Sequence, residues 1–215
     1  MNHKNKISIP LEFILIISGM PGVGKSTLAI NLIKKYSEFR SINQMNLLRF
    51  ATRYFNNITG SSSTSRELYK GLRFVSHEEG KQHMLKISPV IKLFVERQLE
   101  KKIPTILEGV DFYPPYLFSL NKNKVLFINL YCSNEDIHYI RLTEREVQRH
   151  GVPSNVGFYF ENIRKKNDLL HRDITELKND NMQSIDIANL NEKQVLKIVE
   201  NTIKKFLKRT ERLAK

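Results

Sequence analysis

Eight residues near the start of the chain have the types and the spacing of a loop that binds phosphate. They read Gly19-Met20-Pro21-Gly22-Val23-Gly24-Lys25-Ser26 and fit the pattern GxxxxGK[ST] without a mismatch. Glycines let the backbone adopt positive φ angles, so that N–H groups can surround phosphate oxygens. Lys25 can reach the β- and γ-phosphates, and the Ser26 hydroxyl can ligate Mg²⁺. The motif, with Thr27 as a further hydroxyl, predicts a site for a nucleoside triphosphate and magnesium.

The segments on both sides of this loop agree with that interpretation. An apolar run over residues 13–18 predicts a buried strand, and apolar residues at helical spacing follow over 27–36. The start of such a helix adds its positive end and its free N–H groups to the loop. A glycine-rich turn without a nucleotide is the alternative. The motif alone does not separate a kinase from an ATPase, a GTPase or a nucleotide-dependent switch.

Strands and helices alternate along the rest of the chain. Apolar runs predict strands at 104–108 and 125–130, with weaker candidates at 40–44 and 184–187. Helical spacing is found at 47–55, 76–102, 134–149, 157–176 and 192–213. Pro89 should bend the second of these helices or mark its start. The alternation predicts an α/β fold, a three-layer P-loop NTPase with a central parallel five-stranded sheet, and ligands at the edge formed by the strand carboxyl ends.

Length and composition limit the class of protein. The chain has 215 residues and one cysteine, Cys132, which excludes an internal disulfide framework and fits a reducing cytosol. We therefore expect one cytoplasmic domain over residues 1–215. No apolar run reaches the roughly 18 residues that span a bilayer, so no membrane partner is expected. The oligomeric state stays open.

The chain is strongly basic, with 35 Lys+Arg, 22 Asp+Glu and a formal net charge of +13. Such a charge raises the local concentration of any anion, whether nucleic acid or a phosphorylated metabolite. Part of the excess lies in the last predicted helix, where a solvated helix face explains it. Nucleic acid is therefore an open but less favoured partner, and a small anionic molecule is preferred.

Features near the fourth strand narrow the choice of enzyme class. This strand leads into Leu130-Tyr131-Cys132-Ser133 rather than a guanine-reading NKxD motif, so ATP is preferred to GTP. The chain leaves little room for the extra helical domain of remodelling ATPases. One phosphate loop, followed later by a long helix that carries arginines, looks most like a small P-loop kinase.

Three further segments resemble the 2-phosphoglycerate kinase branch of the P-loop kinases, over about residues 13–190. The family segment TDxIRxxxR corresponds to residues 45–53, in which Arg49 and Arg53 keep both arginines and Asn46 replaces the acidic residue. The family strand end EGVHxxP corresponds to EGVDFYP at 108–114, with Asp111 in place of histidine. A late F-x-x-IR segment corresponds to FENIR at 160–164.

This resemblance implies transfer of the γ-phosphoryl group of ATP, with Mg²⁺, to a hydroxyl of a small anionic acceptor similar to 2-phosphoglycerate. It implies that Asn46, Arg49 and Arg53 bind that acceptor. Asparagine cannot act as a general base, so any such role must lie elsewhere. The alternatives are a nucleoside, nucleotide or polynucleotide-end kinase, a zeta-type kinase of a sugar nucleotide, and an ATP-binding switch without an acceptor.

Charged residues outside the loop are the remaining catalytic candidates. Glu108 ends a predicted strand, where a carboxylate can hold Mg²⁺ or contact the acceptor hydroxyl; its alternative role is to cap a loop. Asp111 adds a second carboxylate there, or only shapes a turn. Arg145 is the preferred residue of a helical lid at about 141–165 that closes over ATP, and pairing with nearby glutamates on an exposed helix is its alternative. We expect His138 and the other histidines considered to lie at the surface.

Overall fold

The computed structural model describes residues 7–58, 77–117, 120, 123–152 and 156–213. Within these residues five parallel strands form one sheet in the spatial order β2-β3-β1-β4-β5. The strands are β1 (Ile14–Ser18), β2 (Ser41–Gln44), β3 (Thr105–Gly109), β4 (Val125–Tyr131) and β5 (Met182–Asp186). The prediction of a parallel five-stranded sheet in a three-layer α/β fold is confirmed.

The helices follow the predicted order. They are α1 (Lys25–Lys35), α2 (Met45–Ile58), α3 (His77–Glu100), α4 (Pro114–Leu117), α5 (Glu135–His150), α6 (Val156–Leu177) and α7 (Glu192–Leu213). Helix α3 continues through Pro89 rather than beginning there. The short α4 had no counterpart among the predicted elements. None of the described helices is both long enough and apolar enough to cross a membrane.

The sheet is covered by helices on both faces. Because successive side chains of a strand point to opposite faces, β1 contributes to two separate cores. Leu15 and Ile17 pack with apolar residues of α1 and α7. Ile14 and Ile16 pack with apolar residues of α3 and α6. The layers are therefore α1 and α7, the sheet, and α3 with α6.

The central and edge strands differ in polarity. Strand β1 and its neighbour β3 are buried along their whole length, as is β4 except at its last residue. The edge strands β2 and β5 have the sequences SINQ and MQSID and are partly exposed. Apolar runs therefore identified the central strands clearly and the edge strands only weakly, because an edge strand has one neighbour and a wetter surface.

Helix α2 lies close against the end of β3. A Cβ atom added at Gly109 would lie 2.5 Å from the Cβ of Met45, the first residue of α2. Only glycine allows this approach. The close packing brings the first turn of α2 next to the carboxyl end of β3, where Glu108 is located.

Candidate active site

The predicted phosphate loop connects the carboxyl end of β1 to the start of α1. Gly19, Gly22 and Gly24 have φ angles of 141°, 89° and 85°. Gly24 immediately precedes α1 in a left-handed conformation, and no atom lies within 4 Å of the place where its Cβ would be. The φ angle rather than crowding therefore requires glycine here. Because glycine has no side chain to cap the helix, the first N–H groups of α1 are left to a ligand.

Lys25 lies under the loop in a partly buried position. Its Nζ donates a hydrogen bond to the carbonyl oxygen of Met20 at 3.0 Å. Burial lowers the pKa of Lys25 to about 8; Glu108 opposes this effect, while Arg145 and Arg149 add to it. A phosphate bound beside this ammonium group would favour its charged form again.

The two residues predicted to serve the metal are in direct contact. The Ser26 hydroxyl donates a hydrogen bond to Oε1 of Glu108 at 2.8 Å. Glu108 is buried one residue before the end of β3, and it lies opposite Ile17 of β1. The sheet therefore joins two residues that are 82 positions apart in the sequence.

A second group joins the three candidates from α2 and the loop after β3. Arg49 Nη1 donates to Oδ1 of Asp111 at 2.8 Å, and Arg49 Nη2 donates to Oδ1 of Asn46 at 3.0 Å. The Asp111 side chain is 2 % exposed and that of Arg49 is 16 % exposed. The buried Asp111 carboxylate thus fixes the position of the Arg49 guanidinium group. Arg53 belongs to α2, and its side chain lies outside the described residues.

Helix α5 extends over the phosphate loop and carries the predicted lid arginines. Arg145 Nη1 lies 3.8 Å from Oε1 of Glu146, and His150 Nε2 lies 3.7 Å from Oε2 of the same residue. Glu146 is buried, so this carboxylate does not belong to an exposed helix face as the alternative assumed. Arg149 is exposed, and it lines the same cavity as Lys25 and Glu108.

Two cavities meet at this part of the molecule. The first, which we call the charged cavity, has a volume of about 300 Å³; its charged lining comes from Lys25, Arg49, Glu108, Arg145, Glu146, Arg149 and Lys166. The second, the apolar cavity, has about 370 Å³; its apolar lining comes from Val23, Leu28, Leu130, Ile187, Leu190 and Val195. Arg145 lines both cavities, and the loop separates them.

The predicted loop residues divide between the two cavities. Met20, Pro21, Lys25 and Ser26 line the charged cavity. Gly22, Val23, Gly24 and Thr27 line the apolar cavity. Asn46 and Arg49 are also at the charged cavity, whereas Asp111 lies behind Arg49 and is not part of the described lining. The structure thus brings most of the predicted residues to one junction.

Lys166 is a cavity residue that the sequence analysis did not identify. It is buried on α6, and burial lowers its pKa to about 8, partly opposed by Glu79. A signal was present in the spacing, because Lys166 follows the buried Ile163 by three positions and precedes the buried Leu170 by four. Helical periodicity therefore places this lysine on the buried face of α6.

The surface prediction for the histidines is wrong for His138 and for His83, which are both buried. His138 is fully buried, and its Nε2 lies 2.8 Å from the carbonyl oxygen of Pro21. Arg164, which only the resemblance had marked, donates to the carbonyl oxygens of Cys132 and Ser133 at 2.5 and 3.2 Å. None of these contacts is evident from the spacing in the sequence, because each joins residues that are far apart along the chain.

Comparison with known proteins supports the fold. No family model matches the chain, and a search of curated proteins finds no match. A solved gluconokinase from Sinorhizobium meliloti 1021 matches with a TM-score of 0.56 and 11% identity, over 95% of this chain and 97% of that chain. Another match is deoxyadenosine kinase from M. mycoides with its products dCMP and dCDP, at a TM-score of 0.47 and 15% identity, over 90% and 100% of the two chains.

The gluconokinase match shows that this chain has the fold of a P-loop kinase. At this level of identity it shows the fold alone. The finer resemblance to the 2-phosphoglycerate kinase family is not confirmed by these comparisons and stays a prediction.

Proposed function

We propose that this protein is an ATP-dependent kinase that transfers the γ-phosphoryl group to a hydroxyl of a small anionic metabolite. The observation that carries the proposal is the junction of the two cavities, where Lys25, the Ser26–Glu108 pair and Arg145 meet. A base and ribose fit the apolar cavity, and an anionic acceptor fits the charged cavity. The transferred group then lies between them, beside the loop.

The residues at the junction fit the cofactors that the motif implies. Lys25 and the uncapped start of α1 would hold the triphosphate of ATP. Ser26 and Glu108 offer a hydroxyl and a carboxylate oxygen, which suit Mg²⁺. Among the described residues no three His, Cys, Asp or Glu side chains form a group that could hold a metal ion. When bound, Mg²⁺ neutralises charge on the phosphate oxygens.

The protein's own residues would act mainly through position and charge. Lys25 and Arg145 stabilise the negative charge of the phosphoryl group during transfer. Glu108 lies at the edge between loop and acceptor, where its second oxygen can accept a hydrogen bond from the acceptor hydroxyl. The hydroxyl oxygen forms the new bond to phosphorus and passes its proton to Glu108, the bond to the β-phosphate oxygen breaks, and ADP leaves.

The lining of the charged cavity supports an anionic acceptor. Its described basic side chains, five Lys or Arg, outnumber the two glutamates. Arg49 donates one N–H to Asp111 and one to Asn46, which fixes the guanidinium plane, and its other N–H groups could donate to a carboxylate or a phosphate. Asp111 enters the proposal as the residue that positions Arg49. A 2-phosphoglycerate-like molecule remains the leading candidate.

We further propose that residues 1–215 form one domain in which about 141–165 act as a lid. Helix α5 supplies Arg145 and Arg149 to the cavities from above the phosphate loop. A lid of this kind closes over ATP and excludes water from the transferred group.

The test is mass spectrometry of a small-molecule extract, to which 2-phosphoglycerate and gluconate are added, after incubation with the protein and Mg-ATP. A Lys25→Ala variant provides the blank. A product heavier by about 80 Da than a consumed metabolite, as one HPO₃ requires, identifies the acceptor. If ATP binds but no such product forms, the small-metabolite assignment fails.

A polynucleotide-end kinase is the second candidate, because basic residues recur on the exposed face of α7. Lys193, Lys197, Lys205, Lys208 and Arg212 are all exposed there. RNA binding that falls steeply with salt, together with labelling of RNA ends by ATP, would favour it. Saturable phosphorylation of a free metabolite would favour the first candidate.

A further inference from the structure

A chain of hydrogen bonds connects α6, α5 and the phosphate loop. His138, near the start of α5, is its centre: its Nε2 lies 2.8 Å from the Pro21 carbonyl oxygen and its Nδ1 lies 3.3 Å from Nη1 of Arg164. Arg164 is itself fixed by the carbonyl oxygens of Cys132 and Ser133 at the end of β4, and by Asp168 Oδ1 at 3.2 Å. The imidazole is therefore held from both sides.

The identity of the partners fixes the protonation of His138. A guanidinium group only donates hydrogen bonds, so Nδ1 of His138 must accept from Arg164. The ring proton is then on Nε2, which donates to the carbonyl oxygen of Pro21. Burial lowers the pKa of His138, the bond to Pro21 raises it, and the nearby charges of Arg164 and Lys25 lower it, with Asp168 opposing. The neutral ring is thus favoured near pH 7.

The bond to Pro21 orients the peptide unit between Pro21 and Gly22. The described part of the chain has no cis peptide, and in a trans peptide the N–H points opposite to the C=O. Because the Pro21 carbonyl faces His138, the N–H of Gly22 faces away from the His138 side chain. Helix α5 also touches the loop, since a Cβ on Gly22 would lie 3.4 Å from the Cα of Leu142.

The same contact sets the position of the arginine above the junction. Arg145 follows His138 by seven residues, about two helical turns, and so lies on the same side of α5. The fully buried Leu142 lies between them against the loop. The hydrogen bond between His138 and Pro21 therefore also fixes the position of Arg145 relative to the two cavities.

We propose that His138 is a positioning residue for the nucleotide: through the bonds from Arg164 to His138 and from His138 to Pro21, it holds the phosphate loop in its binding form and aligns α5 with it. This inference rests on the proposed function, because it assigns the ligand of the loop as a nucleoside triphosphate. It adds a residue that neither the loop motif nor the resemblance contains.

Two substitutions separate this role from simple core packing. His138→Phe keeps a flat ring beside Phe160, whose centroid is 5.8 Å from that of His138, but it removes the donor to Pro21. His138→Gln keeps an N–H donor at a similar distance from the backbone. Tyr139→Phe is the matched control, since it changes the neighbouring exposed residue on the same helix.

The experiment is calorimetric titration of each full-length variant with Mg-ATP, without any acceptor. We expect His138→Phe to weaken binding about tenfold, as the loss of one oriented hydrogen bond predicts. We expect His138→Gln to stay within about threefold of the wild type, and Tyr139→Phe to bind like it. Wild-type affinity in His138→Phe, or equal losses in the Phe and Gln variants, would overturn the proposal.

A measurement on the unchanged protein covers the case in which His138→Phe does not fold. Nitrogen-15 chemical shifts of the histidine rings distinguish the two neutral tautomers, and the signal missing in His138→Gln identifies His138. A neutral ring with its proton on Nε2 supports the proposal, and a proton on Nδ1 overturns it.

The readout also distinguishes failure of this inference from failure of the proposed function. Mg-ATP binding needs no acceptor, so a protein that binds ATP but yields no phosphorylated product contradicts the kinase assignment while leaving the role of His138 intact. Conversely, a detected product with unchanged ATP affinity in His138→Phe contradicts only the role of His138.

Discussion

The two cavities that meet at Arg145 are built in different ways. The apolar cavity is formed by the phosphate loop, the start of α1, apolar residues near the ends of β4 and β5, and mainly polar or charged residues of α5 and the start of α7. The charged cavity is formed by side chains from α2, β3, α5 and α6, several of which are tied together by hydrogen bonds. Binding in the apolar cavity would depend largely on backbone groups and shape, and binding in the charged cavity would depend on charge.

This difference indicates how the two substrates would be recognised. A loop with N–H groups and an apolar wall accepts any nucleotide of suitable shape, so single side chains there should matter little. A cavity of fixed charges discriminates strongly, because each charged group must find a partner of opposite sign. We therefore expect substitutions in the charged cavity to affect the acceptor, and those at the junction to affect both substrates.

The largest effect is expected from Lys25→Ala, which removes the cation at the junction. We expect kcat/KM to fall by about 10³-fold, since a preorganised charge beside the transferred group is lost. Steady-state kinetics measure the loss. The control is Lys34→Ala, which changes an exposed lysine at the end of the same helix. A similar loss in both variants would contradict a specific role for Lys25.

Arg145→Ala should come next, with a fall in kcat of about 10²-fold. Because Arg145 lines both cavities, we expect the KM values of ATP and of the acceptor to rise as well. The matched control is Gln148→Ala, on the same helix, which lines only the apolar cavity. If only one of the two KM values changes, Arg145 does not contribute to the binding of both substrates.

Lys166→Met should raise the KM of the acceptor about tenfold and leave that of ATP unchanged. Lys165→Met is the matched control, because its side chain is 63% exposed. The pKa of Lys166 is lowered to about 8, so its charge is lost as the pH rises through this value. The wild-type acceptor KM should therefore approach that of Lys166→Met above pH 8. A constant ratio up to pH 9 would argue against charge recognition.

A smaller effect concerns proton uptake rather than rate, and it distinguishes Lys25 from Lys166. Because burial lowers the pKa of free Lys25 to about 8, this group is partly neutral at pH 8. Bound phosphate raises the pKa, so Mg-ATP binding should take up a fraction of a proton at this pH. Titration calorimetry in buffers of different ionisation enthalpy measures the uptake. Lys25→Met should remove it, and Lys166→Met should retain it.

The smallest effect is expected outside both cavities, at the start of α5. The side chain of Asn134 accepts a hydrogen bond from the Ile137 N–H at 2.9 Å. Asn134→Ala should lower the free energy of unfolding by about 1 kcal/mol through loss of this helix cap. Chemical denaturation measures the change. The KM values of ATP and of the acceptor should stay unchanged. A large rise in either value would show that the cap also sets the position of α5 relative to the phosphate loop.

Much of this molecule was predictable from local patterns. Positions 13–36 predicted a strand, a loop and a helix, and the glycine φ angles are those that such a loop needs. Apolar runs predicted the central strands because those strands are buried on both faces. The edge strands gave weaker signals. Ser26 and Glu108 were each predicted to serve the metal, and the structure places the two side chains in contact.

The misses share one cause, which is burial decided by packing between elements. His138 looked like a surface residue because nothing near it in sequence is its partner; its contacts are Pro21 and Arg164. Lys166 was not predicted as a site residue, although its spacing from Ile163 places it on the buried face of α6. The alternative interpretation of Arg145 placed its glutamate partners on an exposed helix, whereas Glu146 is buried.

The sequence by itself determined the fold class, the glycine loop between β1 and α1, and the edge of the sheet at which the candidate site lies. These features follow from local rules: glycine permits unusual φ angles, apolar periodicity sets buried faces, and parallel strands end at one edge. Only the tertiary structure decided that the candidate site is two cavities, that Arg145 lines both, and that His138 faces inward. Those properties depend on how α5 and α6 lie against the sheet, which is set by many contacts between distant residues at once.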